Sequence, residues 1–450
     1  MKQMHSGLFL LSISFVTFLI LIIPFIELTF GLVCCFFSYL LFGFFSQFKS
    51  KNNFNWFNIL SIKLILTVLV AVIFVQYPLI QGDTLRSSFQ DMRLQDSNYF
   101  DFIAIELVSK GLNKDTFHLL FSTWSSFGII LYLYFTYYIF GTNYLAIVIV
   151  NSALSVVGIS YLYRLLNPLN VKKFKYMLYG ICLPLFVYYD STASKETLTF
   201  LFISASLFYN YQFKFSKNFL GLGISILGLL IMRPNVGLLM IIFFMITKDR
   251  ILSIKSIFSI IFLSVPLYFI VDKILGIKII LDAYFSIDNL LKIKSLANDL
   301  VINSPLKSKI IELFDGTTIP KLILFAPLRL IVWLFLPFPL LYFDFYELYG
   351  NVSDIENNWL LFYHNSYSLI RSFNALFIIY FIYRIFRMTF KSKWSSLGSE
   401  QKYIFQFIIY LGIIITSFSF ANSSRYRILL EPFIFSLFIS LKYSKHTSNN

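Results

Sequence analysis

Six carboxylates crowd one short stretch of an otherwise apolar chain. Asp83, Asp91, Asp96, Asp101, Glu106 and Asp115 lie within residues 81–115 and are six of the 22 acidic residues. A carboxylate held beside a substrate hydroxyl serves as a general base. Asp96 opens Asp96-Ser97-Asn98-Tyr99, the start of an amphipathic helix, where it is either that base or simply the helix cap. Asp83 competes for the role because it ends a long apolar run, Ile59–Ile80, whose scaffold would aim it. Tyr99 is a substrate-contact candidate on the same helix.

The cationic counterparts lie elsewhere. Arg425 and Arg427, two apart at the start of an apolar run, make a fork for a phosphate or pyrophosphate or a plain interfacial pair that snorkels. In the turn Asp190–Glu196, Lys195 and Glu196 suit a phosphate and a sugar hydroxyl; a solvated external hairpin is the structural alternative. Arg233 interrupts an apolar stretch, and arginine at membrane depth costs about 2.5–3.5 kcal/mol on insertion scales. Arg329 and Arg371 are further candidates. Metal chemistry is not called for. His118 and His364 lack ligand-spaced partners, no Asp-x-Asp pair occurs, and Cys34, Cys35 and Cys182 give neither a metal spacing nor a disulfide framework. No cofactor is expected; a divalent metal is left open but nothing indicates one.

The elements that must position these groups are helices in a bilayer. The chain has 450 residues, 58% hydrophobic and 13% charged, with mean hydropathy +0.75, whereas soluble domains carry roughly 25% charge. Long apolar runs recur at 7–28, 29–47, 59–80, 118–140, 144–163, 176–190, 197–213, 219–232, 237–247, 256–275, 322–341, 366–386, 403–421 and 428–441. The runs predict an all-α polytopic transmembrane bundle of about 10–14 helices, forming a single membrane domain over residues 1–450. Residues 81–117 are expected as an external acidic loop and 276–321 as an external amphipathic segment. The first apolar run lacks a cleavage pattern and reads as a retained helix. No soluble catalytic domain and no repeat stand out. The net charge of +15 sits largely in short loops, where it sets orientation rather than binding nucleic acid.

Those basic loops, around Lys49, Lys172, Lys214, Lys248, Arg384 and Lys442, are read as cytoplasmic. That places residues 81–115 and Arg425–Arg427 together outside the plasma membrane. Two spans between 118 and 163 would put the basic connection Arg164–Lys175 outside. Either one of those segments does not cross, or the acidic region contains a re-entry. The stretch 219–247 is broken by Arg233-Pro234-Asn235, giving two short helices meeting at an outward turn or one kinked helix.

Carboxylates and phosphate-binding cations on one face suit group transfer from a phosphate-linked lipid. The carboxylate deprotonates the acceptor, and the cations stabilise charge on the departing phosphate. In order along residues 80–440, the chain resembles the GT-C superfamily of polytopic glycosyltransferases that use polyprenyl-phosphate donors. The resemblance rests on Asp96-x-x-Tyr99, Phe140-Gly141, Tyr161-Leu162-Tyr163-Arg164, Ser194-Lys195-Glu196, Leu229–Arg233-Pro234, and Arg425-Tyr426-Arg427 with Pro432. It implies a catalytic aspartate in the first large external loop, at Asp96 or Asp83, with a polyprenyl-phosphate-linked sugar and the bilayer as partners. A related O-antigen or capsule repeat-unit polymerase is the alternative, and a lipid-linked oligosaccharide flippase a further one. Oligomeric state is not legible.

Overall fold

The computed structural model describes residues 30–49, 56–71, 96–113, 116, 119–120, 127–166, 172–216, 219–246, 358–391, 397–418 and 423–444. Among them the chain is all-α, with twelve α-helices, one 3-10 helix and no strand. The expected spans 7–28, 256–275 and 322–341, the segment 276–321, Asp83 and Arg329 lie outside the described residues.

The hub is α5 (Tyr144–Leu166). It packs against α1 (Phe30–Lys49), α2 (Trp56–Ala71), α4 (Phe127–Phe140), α6 (Pro184–Asp190), α7 (Glu196–Ser216), α11 (Ser399–Phe418) and α12 (Ser423–Ser444). Local sequence sets its start. Gly141, at φ 82°, takes the left-handed conformation that closes α4, and its N–H donates to the Tyr137 carbonyl. Two residues on, the Asn143 side chain accepts from Leu145 N at 3.0 Å, the bond an N-cap supplies. Small residues then let neighbours close in. At Gly158 a Cβ would lie 2.8 Å from the Phe200 ring and 3.2 Å from Leu201 Cα, a spacing typical of tightly packed membrane helices. With 23 residues, α5 is about 34 Å long, and it is the one described helix both long and apolar enough to cross a bilayer.

Taking the Tyr144 end of α5 as upper, contacts orient the rest. α1 descends from Gly31, which abuts the Phe140 carbonyl. α7 descends beside α5, with Phe200 at Gly158 and Tyr209 at Tyr161. α8 (Phe219–Met232) climbs back along α7, its Gly221 at Tyr209 and Gly228 at Phe202. α9 (Pro234–Ile246) descends again, with Gly237 against Leu230 and Phe243 against Tyr403. α10 (Asn358–Lys391) and α12 descend together, joined by Asn374–Glu431 and Phe381–Phe438. Between them α11 rises from Tyr403, which meets Asn210, to Phe407, which meets Phe433. The lower end therefore gathers the positions of Lys49, Lys172, Lys173, Lys175, Lys214, Arg384, Arg387, Lys391 and Lys442.

Within the run 118–140, α4 spans 14 residues, about 21 Å, and its Gly128 abuts Ile231, so α4 flanks the upper part of the bundle; residues 121–126 lie outside the described residues. One expected span is broken. The run 176–190 is not one helix but a 3-10 helix, Lys172–Cys182, followed by α6. Pro184 explains the break: it lacks an N–H and holds Leu183 extended, at φ −60° and ψ 139°. The stretch 219–247 takes the first of its two expected forms, two short helices reversing at Arg233.

Candidate functional site: a buried charged turn

The most polar part of the interior is the turn Asp190–Thr197 linking α6 to α7. Every residue in it is buried, which corrects the expected solvated hairpin. Irregular backbone survives at such depth only where protein groups satisfy it, and here they do. Asn151 Nδ2 donates to the carbonyls of Asp190 and Thr192, each at 3.1 Å. The Tyr144 hydroxyl donates to the Ser191 carbonyl and accepts from Ala193 N. Ser191, Thr192 and Ser194 turn their own hydroxyls back onto the carbonyls of Tyr188 and Tyr189.

Charges fix both ends of the turn. At its start, Asp190 pairs with Lys63 of α2 at 2.6 Å, both side chains essentially without solvent exposure. Lys63 Nζ also donates to the Ile181 carbonyl at 2.6 Å, just before the Pro184 break, and lies 5.1 Å from the Phe186 ring centroid. The Thr197 hydroxyl donates to Asp190 Oδ1, closing the turn on itself. At its end, Glu196 pairs with Arg233 at 2.5 Å, with exposures of 1% and 11%. Lys195 is buried, its ammonium 4.8 Å from the ring centroid of Phe100. Phe100 belongs to α3 (Asp96–Lys110), and the next residue, Asp101, accepts a hydrogen bond from Tyr137 of α4.

Lys195 and Arg233 share an unusual backbone position. Thr199 N donates to the Lys195 carbonyl at 2.9 Å, and Gly237 N donates to the Arg233 carbonyl at 3.0 Å. Both cations are therefore N-caps, of α7 and α9. Ser, Thr, Asp and Asn are the residues preferred there, and the dipoles of α7 and α9 disfavour a cation by about 0.3–1 kcal/mol; Arg233 also closes α8, its N–H donating to the Leu229 carbonyl at 2.7 Å, an end that favours a cation. Two adjacent helix amino-terminal ends thus each carry a cation, a setting that attracts anions.

The structure brings Lys195, Glu196 and Arg233 together, with α3 alongside. Asp96 is the first residue of α3, one turn before Phe100. Tyr99 is partly exposed, at 38%. Glu196 is buried against Arg233, not held open for a sugar hydroxyl. Arg425 and Arg427 occupy the first two turns of α12, which starts at the upper end, the same end as Lys195. Arg371 is on α10. Lys63 was not among the sequence candidates, although a lysine inside the apolar run 59–80 is the signal that would have found it. Among the described residues, no group of His, Cys, Asp and Glu could hold a metal ion. Comparison of the chain with protein-family models, curated proteins and solved structures finds no match in any of the three.

Proposed function

We propose that the chain is an integral membrane glycosyltransferase of surface-glycan assembly that uses a polyprenyl-phosphate-linked sugar. Its membrane character rests on composition and on what the helices expose. α8 presents Phe219, Leu220, Ile224 and Leu227 outward, and α10 presents Phe373 and Phe377. Apolar surface on this scale calls for lipid or a partner. The basic lower end is cytoplasmic by the positive-inside rule. Arg164, in the last turn of α5, and the positions of Lys172, Lys173 and Lys175 lie at that same end. The Lys195 end is then extracytoplasmic.

The carrying observation is the pair of cationic N-caps. Lys195 and Arg233 at helix amino-terminal ends form a setting for phosphate. Arg425 and Arg427 begin α12 at the same end, and α3, with Asp96 as its first residue, packs beside Lys195 through Phe100. In the reaction, Asp96 or Asp83 takes the acceptor hydroxyl proton. The acceptor oxygen attacks the anomeric carbon, and the bond from that carbon to the phosphate oxygen breaks. Polyprenyl phosphate leaves, its charge stabilised by Lys195, Arg233, Arg425 and Arg427. Tyr99 and Arg329 are the candidates for sugar contacts, and Glu196 positions Arg233.

A lipid-linked oligosaccharide flippase is the second reading. Hairpin tips carrying charge inside a helix bundle are a feature of transporter sites, and the Glu196–Arg233 contact joins two such tips. Deletion and complementation separate the readings. Asp83→Asn, Asp96→Asn, Lys195→Met and Arg427→Ala are introduced singly, and lipid-linked precursors and surface glycan are profiled. Transfer predicts accumulated precursor and a glycan lacking one sugar branch. If the chain is instead a repeat-unit polymerase, the inactive variants leave single repeat units on the surface lipid. A normal glycan profile from all four variants would refute the mechanism.

A further inference from the structure

We propose that Lys63, Asp190 and Thr197 form a clamp whose task is to hold Lys195 in place, making them positioning residues for the anion site. The inference rests on the phosphate reading for its purpose, but its geometry stands alone. Turn Asp190–Thr197 is eight residues of largely irregular backbone, and its two ends meet through the Thr197 hydroxyl and Asp190 Oδ1. Lys63 grips the same carboxylate from α2 at 2.6 Å and reaches the Ile181 carbonyl on the far side of α6. One ammonium thereby ties α2 to the end of α6 and to the 3-10 helix that precedes it. Lys195 lies two residues from Thr197, inside the loop so closed.

Several features argue against a purely apolar-packing role for Lys63. Its ammonium is fully buried within an apolar helix, where a methionine or leucine would insert at lower cost. Its helix is also braced on the hub: the Thr67 hydroxyl, one turn on, donates to the Lys63 carbonyl and contacts Ser152 of α5 at 2.6 Å. The clamp is thus seated on the hub helix. Asn151, the next residue along, holds the carbonyls of Asp190 and Thr192. Removing one partner of a buried pair leaves an uncompensated charge, so the turn and Lys195 with it should loosen first.

The test measures Lys195 itself, independent of any activity. Purified full-length protein in lipid nanodiscs is treated with a water-soluble succinimidyl ester, and acylation of Lys195 is followed by peptide mass spectrometry. Thr197→Val is the mild variant and Asp190→Asn the stronger one; Lys63→Arg preserves the charge. Gln401→Ala is the control, because it breaks another buried bond, from Gln401 to Ser440 at 2.9 Å, which joins α11 to α12 far from the turn. The clamp predicts that Lys195 labels at least about tenfold faster in Asp190→Asn, through local opening, and by a smaller factor in Thr197→Val. Lys63→Arg and Gln401→Ala should stay near the wild-type rate. Unchanged labelling in Asp190→Asn and Thr197→Val, or equal acceleration in Gln401→Ala, overturns the proposal. If labelling follows the clamp while Lys195→Met leaves the glycan profile normal, the clamp stands and the phosphate reading falls.

Discussion

Replacing Arg233 by methionine should be one of the most damaging single changes in the described part of the chain, and replacing Glu196 as well should rescue much of the loss. The two side chains meet at 2.5 Å with 1% and 11% exposure. At an effective dielectric near 20, that separation gives about 7 kcal/mol of attraction. Desolvation costs several kcal/mol per ion and consumes most of it. The intact pair is therefore close to neutral in net stability, whereas either half alone is not. Arg233→Met leaves Glu196 charged and buried, a loss of about 3–5 kcal/mol. Glu196→Gln, which keeps an acceptor for the guanidinium, should cost less. The double variant Glu196→Met, Arg233→Met should come within about 1–2 kcal/mol of wild type, because buried ion pairs often exchange for apolar residues at little cost. Denaturant unfolding in mixed micelles, arranged as a double-mutant cycle, reads the coupling directly. Additive losses, with the double variant worse than either single one, would refute the claim that the two hairpin tips are held by this contact.

Packing and backbone predictions follow the same geometry. Gly158→Leu forces a side chain into the Phe200 ring and should cost about 1–3 kcal/mol by overpacking, read as a lowered unfolding midpoint. Gly31→Ala should cost more than an ordinary surface change, since its Cβ would fall 1.9 Å from the Phe140 carbonyl oxygen and backbone must move; thermal unfolding checks it. Asn151→Ala removes the donor to two carbonyls of the turn and should cost about 1–3 kcal/mol, with faster amide exchange confined to residues 190–197. Equal exchange in wild type and variant would contradict that role.

Helices whose sequence is uninterrupted were legible. The apolar run at 219–232 coincides with α8, and the run at 144–163 ends within a turn of the end of α5. A helix beginning at Asp96 was also legible, and α3 starts there. What periodicity misses is the effect of a single buried bond. Pro184 and the Lys63 contact to Ile181 split the run 176–190 into a 3-10 helix and a short α-helix, and neither shows in hydropathy. The turn Asp190–Thr197 looked solvated because five of its eight side chains are Ser, Thr or Lys. Its hydroxyls instead serve carbonyls nearby, which sequence polarity cannot distinguish from hydration. Lys63 escaped notice because one charge barely alters the mean of an apolar run. The pairing of Glu196 with Arg233 was hidden for another reason: 37 residues separate them, and only the reversal at Pro234 brings them together.

Binding of a lipid phosphate is the most direct test of the central claim. Native mass spectrometry of the full-length protein would compare a polyprenyl phosphate with the matching polyprenol, for wild type and Lys195→Met, with the unfolding midpoint confirming that the variant is folded. The account predicts retention of the phosphate form over the alcohol by wild type, and loss of that preference in Lys195→Met. Equal retention of phosphate and alcohol by the wild-type protein would contradict it.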